Sequence, residues 1–201
     1  MQIEFVISTR NKMKLQDLVR FEIGTSLSRL NEHAGSPCYS LYDQADLQAD
    51  FETRTESTQG KQICTSDTPT LLQEDDVIFS LISGTAAQIF QSRVGYIFSH
   101  NYVLLHPIKN LDKSFLVYLL NNDKQIKRQL FSSLQGSSVM KYSLNQLKNL
   151  ELPKLPTLTT QKSIGKIDLL QRRLTFLKKK VIDQELLITS ALLQKSLTPL
   201  K

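Results

Sequence analysis

Tryptophan is missing from this chain of 201 residues, cysteine occurs only twice, and no apolar run approaches the ~18 residues of a membrane-spanning helix. The last absence excludes a helical membrane span. The opening MQIEFVISTRNKMKL lacks the basic start, long apolar centre and small-residue cleavage site of a secretory signal. Cys38 and Cys64 stand alone, and His33, His100 and His106 form no ligand-like spacing with them. A structural zinc site needs paired ligands such as Cys-x-x-Cys, so no metal is expected. The expectation is a soluble, reduced, cytoplasmic protein.

The chemistry-bearing motifs are equally scarce. There is no Gly-rich phosphate loop, no Gly-x-Ser-x-Gly elbow and no His-Glu-x-x-His. The Asn-Pro-Pro-aromatic tetrapeptide that amino-methyltransferases apply to a flipped adenine is missing too. Asp43, Asp46 and Asp50 lack the Gly and terminal Glu of a calcium loop, and Asp75 and Asp76 lack a following Glu-x-Lys. The chain is therefore expected to be no enzyme and to hold no cofactor, neither ATP nor a methyl donor.

What is present is a long tail. Proline does not occur between Thr157 and Thr198, and Gly165 is the one glycine there. Ile167, Leu174, Val181 and Ile188 repeat every seven residues, as do Leu170, Leu177, Gln184 and Ala191. This narrow stripe is the seam of a coiled coil rather than the face of a globular core, and a helix of ~40 residues would be about 60 Å long. Covering eight seam side chains with a second helix would contribute on the order of 10 kcal/mol before ordering costs. The polar Gln184 would set register at some cost in stability. The open alternative is that the seam folds back on the chain's own globular part.

Charge divides the chain in the same place. Residues 1–150 carry 15 Lys and Arg against 15 Asp and Glu, and residues 151–201 carry 10 against 4, so the tail holds the whole excess of +6. A polyanion would have to meet selected surfaces of the neutral part.

That neutral part reads as α+β. Leu15, Leu18 and Val19 suggest a short amphipathic helix, CYSLYDQADLQADF a strand and turn, and residues 52–70 an exposed loop or ragged hairpin. VIFSLISG, RVGYIF and NYVLLHPI suggest three strands in a meander. Asp112 to Phe131 has helical period with Asp112 as N-cap, and Ser143 caps a shorter helix carrying Leu144, Leu147 and Leu150. Pro153 and Pro156 set an extended connector before the rod. The expected division is a globular domain at 1–156 and a helix at 157–201.

Taken in order, these segments resemble the DNA-specificity subunit of type I restriction and modification systems. KLQDLVRFEIGTSLSR is similar to that family's opening helix, Gly and basic loop, and EDDVIFSLISGTAAQIF to its strand and Gly step. SHNYVLLHPIKNLDKSFLVYLLNND resembles its strand followed by a helix. The most distinctive stretch is LQGSSVMKYSLNQLKNLELPKLPTLTTQKSIGKIDLLQRRL: a Gly-Ser turn, a short helix, a Leu-Pro connector, and a Gln leading into the long helix. The resemblance implies one target recognition domain and one spacer helix, where family members commonly carry two of each. It implies double-stranded DNA as ligand, with a methyltransferase subunit and a restriction motor subunit as partners. A homodimer through the helix would rebuild the two-domain arrangement. The rival reading is a stand-alone coiled-coil protein that competes with or inhibits such a complex.

The candidate DNA contacts are Lys12, Arg29, Lys61, Arg93, Asn101, Gln135, Ser137, Ser138, Lys141 and Tyr142, donors in Gly-containing or polar segments. The turn from Gln135 to Ser138 could bring backbone amides to a phosphate, or merely connect two helices. For Arg29 and Arg93 individually, a solvated surface arginine is the favoured reading over a DNA contact. Arg172, Arg173, Lys178, Lys179 and Lys180 read as a solvated flank beside the seam, with phosphate or partner contact as the second option.

Overall fold

The computed structural model of the protein describes residues 13–31, 35–56, 60–132 and 141–197. A 3₁₀ turn at Leu15–Asp17 leads directly into β1 (Val19–Ile23). Leu18 thus leads into a strand that Val19 begins, and neither belongs to a continuing helix. After a second 3₁₀ turn at Leu27–Arg29 come β2 (Cys38–Tyr42) and α1 (Gln44–Phe51). Asp43 starts α1 by accepting from the amides of Ala45 and Asp46, while Asp46 returns a bond to the amide of Asp43. The polar stretch that follows contains β3 (Gln62–Cys64).

Four further strands are β4 (Val77–Ser80), β5 (Ala86–Gln88), β6 (Ile97–Phe98) and β7 (Tyr102–Pro107). They do not form a meander. One sheet has the order β1-β7-β4-β5 and is antiparallel throughout, whereas β6 leaves it to pair in parallel with β2, in a second sheet of order β3-β2-β6. In the β2–β3 pair Cys38 stands opposite Cys64, and the two form a disulfide. Strand register, which spacing in the sequence does not disclose, brings together the two cysteines expected to be separate and reduced.

Side chains alternate across β4 and β7, so each strand feeds two cores. Val77, Phe79, Val103 and Leu105 face a cluster with Leu15, Val19, Leu116, Leu120, Ile126 and Leu147. Ile78, Tyr102 and Leu104 face the other cluster, with Tyr42, Leu47, Leu72 and Phe98. Burial on both faces explains why β4 is a continuous apolar run.

The first core is roofed by α2 (Lys113–Asn122), α3 (Lys124–Ser132) and α4 (Leu144–Lys148). Asp112 caps α2 through the amide of Phe115 at 3.0 Å, as its position suggests. The single helix expected from Asp112 to Phe131 is broken at Asp123, whose extended backbone and carboxylate, accepting from Gln125 and Ile126, start α3 afresh. Ser143 caps α4 with a reciprocal bond from Gln146. The connector then leads into α5 (Leu158–Leu197), 40 residues long.

Helix α5 meets the globular part along its first half. Gln161 is buried and spans the joint, accepting from the amide of Asp112 and donating to the carbonyls of Asn110 and Pro156. One turn on, Gly165 lies against α2, where a Cβ would come within 2.7 Å of the Phe115 nitrogen. Asp168 accepts from Asn122 at the end of α2.

Candidate nucleic-acid interface

Three of the sequence-selected residues meet at one end of the four-stranded sheet. The turn after β4 ends on Gly84 at φ +68°, a left-handed conformation that glycine adopts without strain. Its missing side chain leaves room for the ring of Tyr142, which also packs edge-on to Phe79. The amide of Tyr142 donates to the Leu81 carbonyl, and the amide of Leu81 donates to the Asn101 carbonyl, both at 2.8 Å. Lys141 then reaches Asn101 Oδ1 at 2.7 Å. An ammonium, an amide and a phenol are thereby held over one sheet end, beside exposed Ile82, Ser83 and His100.

Arg29 belongs to the same end of the molecule. Thr25 bridges to Ser99 and accepts from the His100 amide at 3.1 Å, and the turn carrying exposed Arg29 follows two residues later. Lys61 is exposed beside β3, where its carbonyl accepts from Leu41. Lys12, Gln135, Ser137 and Ser138 fall outside the described residues. The signal for Thr25, Ser83 and His100 in the sequence is slight, because only the β6–β7 and β4–β5 turns bring them together.

Arg93 is a correction. Its side chain is wholly buried, with Nε 3.2 Å from Asp46 and Nη1 3.1 Å from Asp50. Nη1 also lies within bonding distance of the Arg54 carbonyl and the Ser92 hydroxyl, and Nη2 donates to the Glu56 carbonyl. All three nitrogens are engaged inside the protein, so Arg93 is neither a DNA contact nor a solvated arginine. It ties α1 to the loops after α1 and after β5. Tyr42 completes the group by donating to Asp50 at 2.9 Å. Burial raises the Asp50 carboxyl from 3.8 to about 6 against the opposing pull of Arg93, and burial with the nearby Asp50 carboxylate raises the Tyr42 phenol well above its ordinary value.

The basic group on α5 divides. Arg172 and Arg173 turn inward, donating to the carbonyls of Phe51 and Thr53, and burial lowers the Arg172 pKa despite its pairing with Asp168. Lys178, Lys179 and Lys180 are exposed, and Lys180 pairs with Glu56 at 3.3 Å.

The two faces of α5 differ in what covers them. Gln161, Ile164, Gly165, Asp168 and Arg172 recur at helical spacing and point at the globular part. The seam positions lie on the opposite face: Ile167, Leu170, Leu174, Leu177, Val181 and Ile188 are 42–68% exposed, and Gln184 and Ala191 are exposed with them. The seam does not fold back on the chain's own domain.

The description "Type I restriction modification DNA specificity domain" matches residues 8–183. This chain belongs to that family. The specificity domain also resembles solved structures. One is the crystal structure of the HsdS subunit from Thermoanaerobacter tengcongensis, at 18% identity and TM-score 0.53, covering 85% of this chain and 39% of that one. Another comes from a study of complex assembly and conformational transition of the type I R-M system, also at 18% identity, with TM-score 0.59, covering 89% of this chain and 42% of that one. These likenesses concern the fold. The chain spans about two-fifths of the length of the structures it matches. No curated protein matches the sequence. Among the described residues no group of three His, Cys, Asp or Glu could hold a metal ion, and no helix is long and apolar enough to cross a membrane.

Proposed function

We propose that this chain is the DNA-reading subunit of a type I methyltransferase or restriction complex, and that two copies pair through α5 to read a site with two halves. Residues 1–156 form the recognition domain and residues 157–201 the spacer helix. The observation that carries the reading is the pair of opposed faces on α5: one fixed to its own domain, the other an apolar seam of heptad spacing left exposed along the rod. A helix of 40 residues, about 60 Å long, laid antiparallel to a second copy puts one recognition domain near each end.

DNA meets the loop end of the sheets, where Arg29, Asn101, Lys141 and Tyr142 supply charge and hydrogen-bonding groups. Lys12, Lys61, Gln135, Ser137 and Ser138 are further candidates. The globular part is neutral overall, so one chain alone binds weakly and with strong dependence on salt, and specific binding arises with the methyltransferase subunit. That subunit, acting in the cytoplasm, performs methyl transfer, and a motor subunit joins for cleavage.

Light scattering on the full chain tests the pairing. The unmodified protein is expected to be a dimer at micromolar concentration, and Leu174→Asp with Val181→Asp, which would bury charges in the seam, is expected to be a monomer with unchanged secondary structure. A monomeric unmodified chain contradicts the homodimer.

A further inference from the structure

Helix α5 is attached to its domain at two main places, besides the exposed ion pair of Lys180 with Glu56. The first is the seat of Gly165 against α2. The second is the C-terminal end of α1, more than 100 residues earlier in the chain. There Arg172 Nη1 donates to the Phe51 carbonyl at 2.7 Å, its guanidinium stands 5.0 Å over the Phe51 ring, and its Nε binds Asp168 at 3.0 Å. Arg173 Nη1 donates to the Thr53 carbonyl at 2.6 Å. The guanidiniums of Arg173 and Arg54 both lie over the ring of Phe176, at 5.8 and 5.7 Å.

These contacts use what the end of a helix offers. The carbonyls of Gln48, Ala49 and Asp50 accept from the amides of Glu52, Arg54 and Thr53, whereas the last carbonyl of α1, that of Phe51, at the negative end of the helix dipole, accepts from Arg172. Thr53 is in the left-handed region, at φ 58°, which turns the chain beneath α5. The guanidiniums that look like a solvated flank in the sequence are thus spent on a joint.

We propose that Arg172 and Arg173 are positioning residues that fix the angle between rod and recognition domain, and through it the number of base pairs between half-sites. The inference rests on the paired, DNA-reading function proposed above. Beyond Gly165 the rod continues to Leu197, roughly 48 Å at the usual rise per residue. With the second attachment removed, rocking about Gly165 by about 4° moves the far end by about 3.4 Å, the spacing between successive bases. A joint this stiff is needed to select one spacer length.

The test compares the full chain with Arg172→Gln/Arg173→Gln, the single Arg173→Gln, and Arg172→Lys/Arg173→Lys. These residue types have similar helix propensity, so α5 itself is preserved. Spin labels carried by noncanonical residues at Ser66 and Ser190, in labelled protein diluted with unlabelled, report the distance from domain to rod. In cells with a type I modification subunit, methylated adenines report the spacer. The Gln variants are expected to widen the distance distribution at least twofold and to add sites with spacers one base pair longer or shorter, with half-sites unchanged. The Lys variant is expected to return both readouts towards the unmodified protein. If the double Gln variant does not fold, the single variant decides. An unchanged distance distribution in a folded Gln variant, or a widened one with a single unchanged spacer, overturns the proposal. A chain whose methylation shows no paired half-sites overturns the function above, and the label distances still decide whether the joint sets the angle.

Discussion

Gly165 lies directly against the backbone of Ser114 and Phe115, so the rod and the roof of the main core touch main chain to main chain. Replacing Gly165 by Ala would favour the helix by roughly 1 kcal/mol in isolation. Here the added Cβ would come within 2.7 Å of backbone that cannot swing aside. The variant is expected to be less stable than the unmodified chain by 1–3 kcal/mol, an overpacking cost, as measured by urea unfolding. Stabilisation instead would mean that α5 does not seat closely on α2.

Arg93→Ala should be more damaging. It leaves Asp46 and Asp50 buried without the cation that holds them, a change of about 3–5 kcal/mol. The protein is expected to unfold or to lose the α1 region, visible by circular dichroism and proteolysis. A folded variant of near-normal stability with weakened DNA binding would return Arg93 to the DNA surface.

Asp50 makes stability depend on pH in a stated direction. Its carboxyl titrates at about 6 in the folded protein and at 3.8 ordinarily, so between those values the folded state holds a proton that the unfolded state has lost. The contribution is complete below pH 3.8 and is lost as pH rises through 6. Comparing the chain with Asp50→Asn cancels most other carboxylates. The stability of the unmodified protein relative to this variant is expected to fall by about 2–3 kcal/mol from pH 4 to pH 7. A difference that stays constant or rises over that range would contradict the burial of Asp50.

Some of this fold is legible in the sequence because its signals are local. Asp112 and Ser143 cap the helices their positions suggest, β4 is the apolar run that ends before a glycine turn, and the heptad stripe lies on the exposed face of α5. What is not legible depends on distant partners. The sequence around α1 looks like a turn because its helix is held by Asp43 and by the buried Arg93 from 47 residues away. β3 is polar and short, and exists as a strand through its pairing with β2. β6 and β7 are neighbours in sequence, yet they belong to different sheets, and alternation of side chains does not say which sheet a strand joins. The candidate site follows the same pattern: Asn101 and Lys141 were selected for their chemistry, but only folding puts them 2.7 Å apart. The inward turn of Arg172 and Arg173 is not legible either, because charge in a helix says nothing about which way the helix is turned.

Lys141 is held by Asn101 at one end of the four-stranded sheet, where the proposed function would have it meet a phosphate. With the methyltransferase subunit present, Lys141→Ala is expected to weaken DNA binding several-fold for all sequences and to lower the salt-dependence slope by about 1. Fluorescence anisotropy at several salt concentrations measures both. Relaxed sequence preference with an unchanged salt slope would make Lys141 a reader of bases instead.

The most direct measurement is a map of methylated adenines in cells that carry this chain and a type I modification subunit. Two copies joined antiparallel through α5 are expected to give two identical half-sites in inverted orientation, each containing a methylated adenine, separated by a fixed number of unspecified base pairs. An asymmetric bipartite site would mean that a second, different recognition domain takes part, and methylation that does not change when the chain is removed would contradict its role as the DNA-reading subunit.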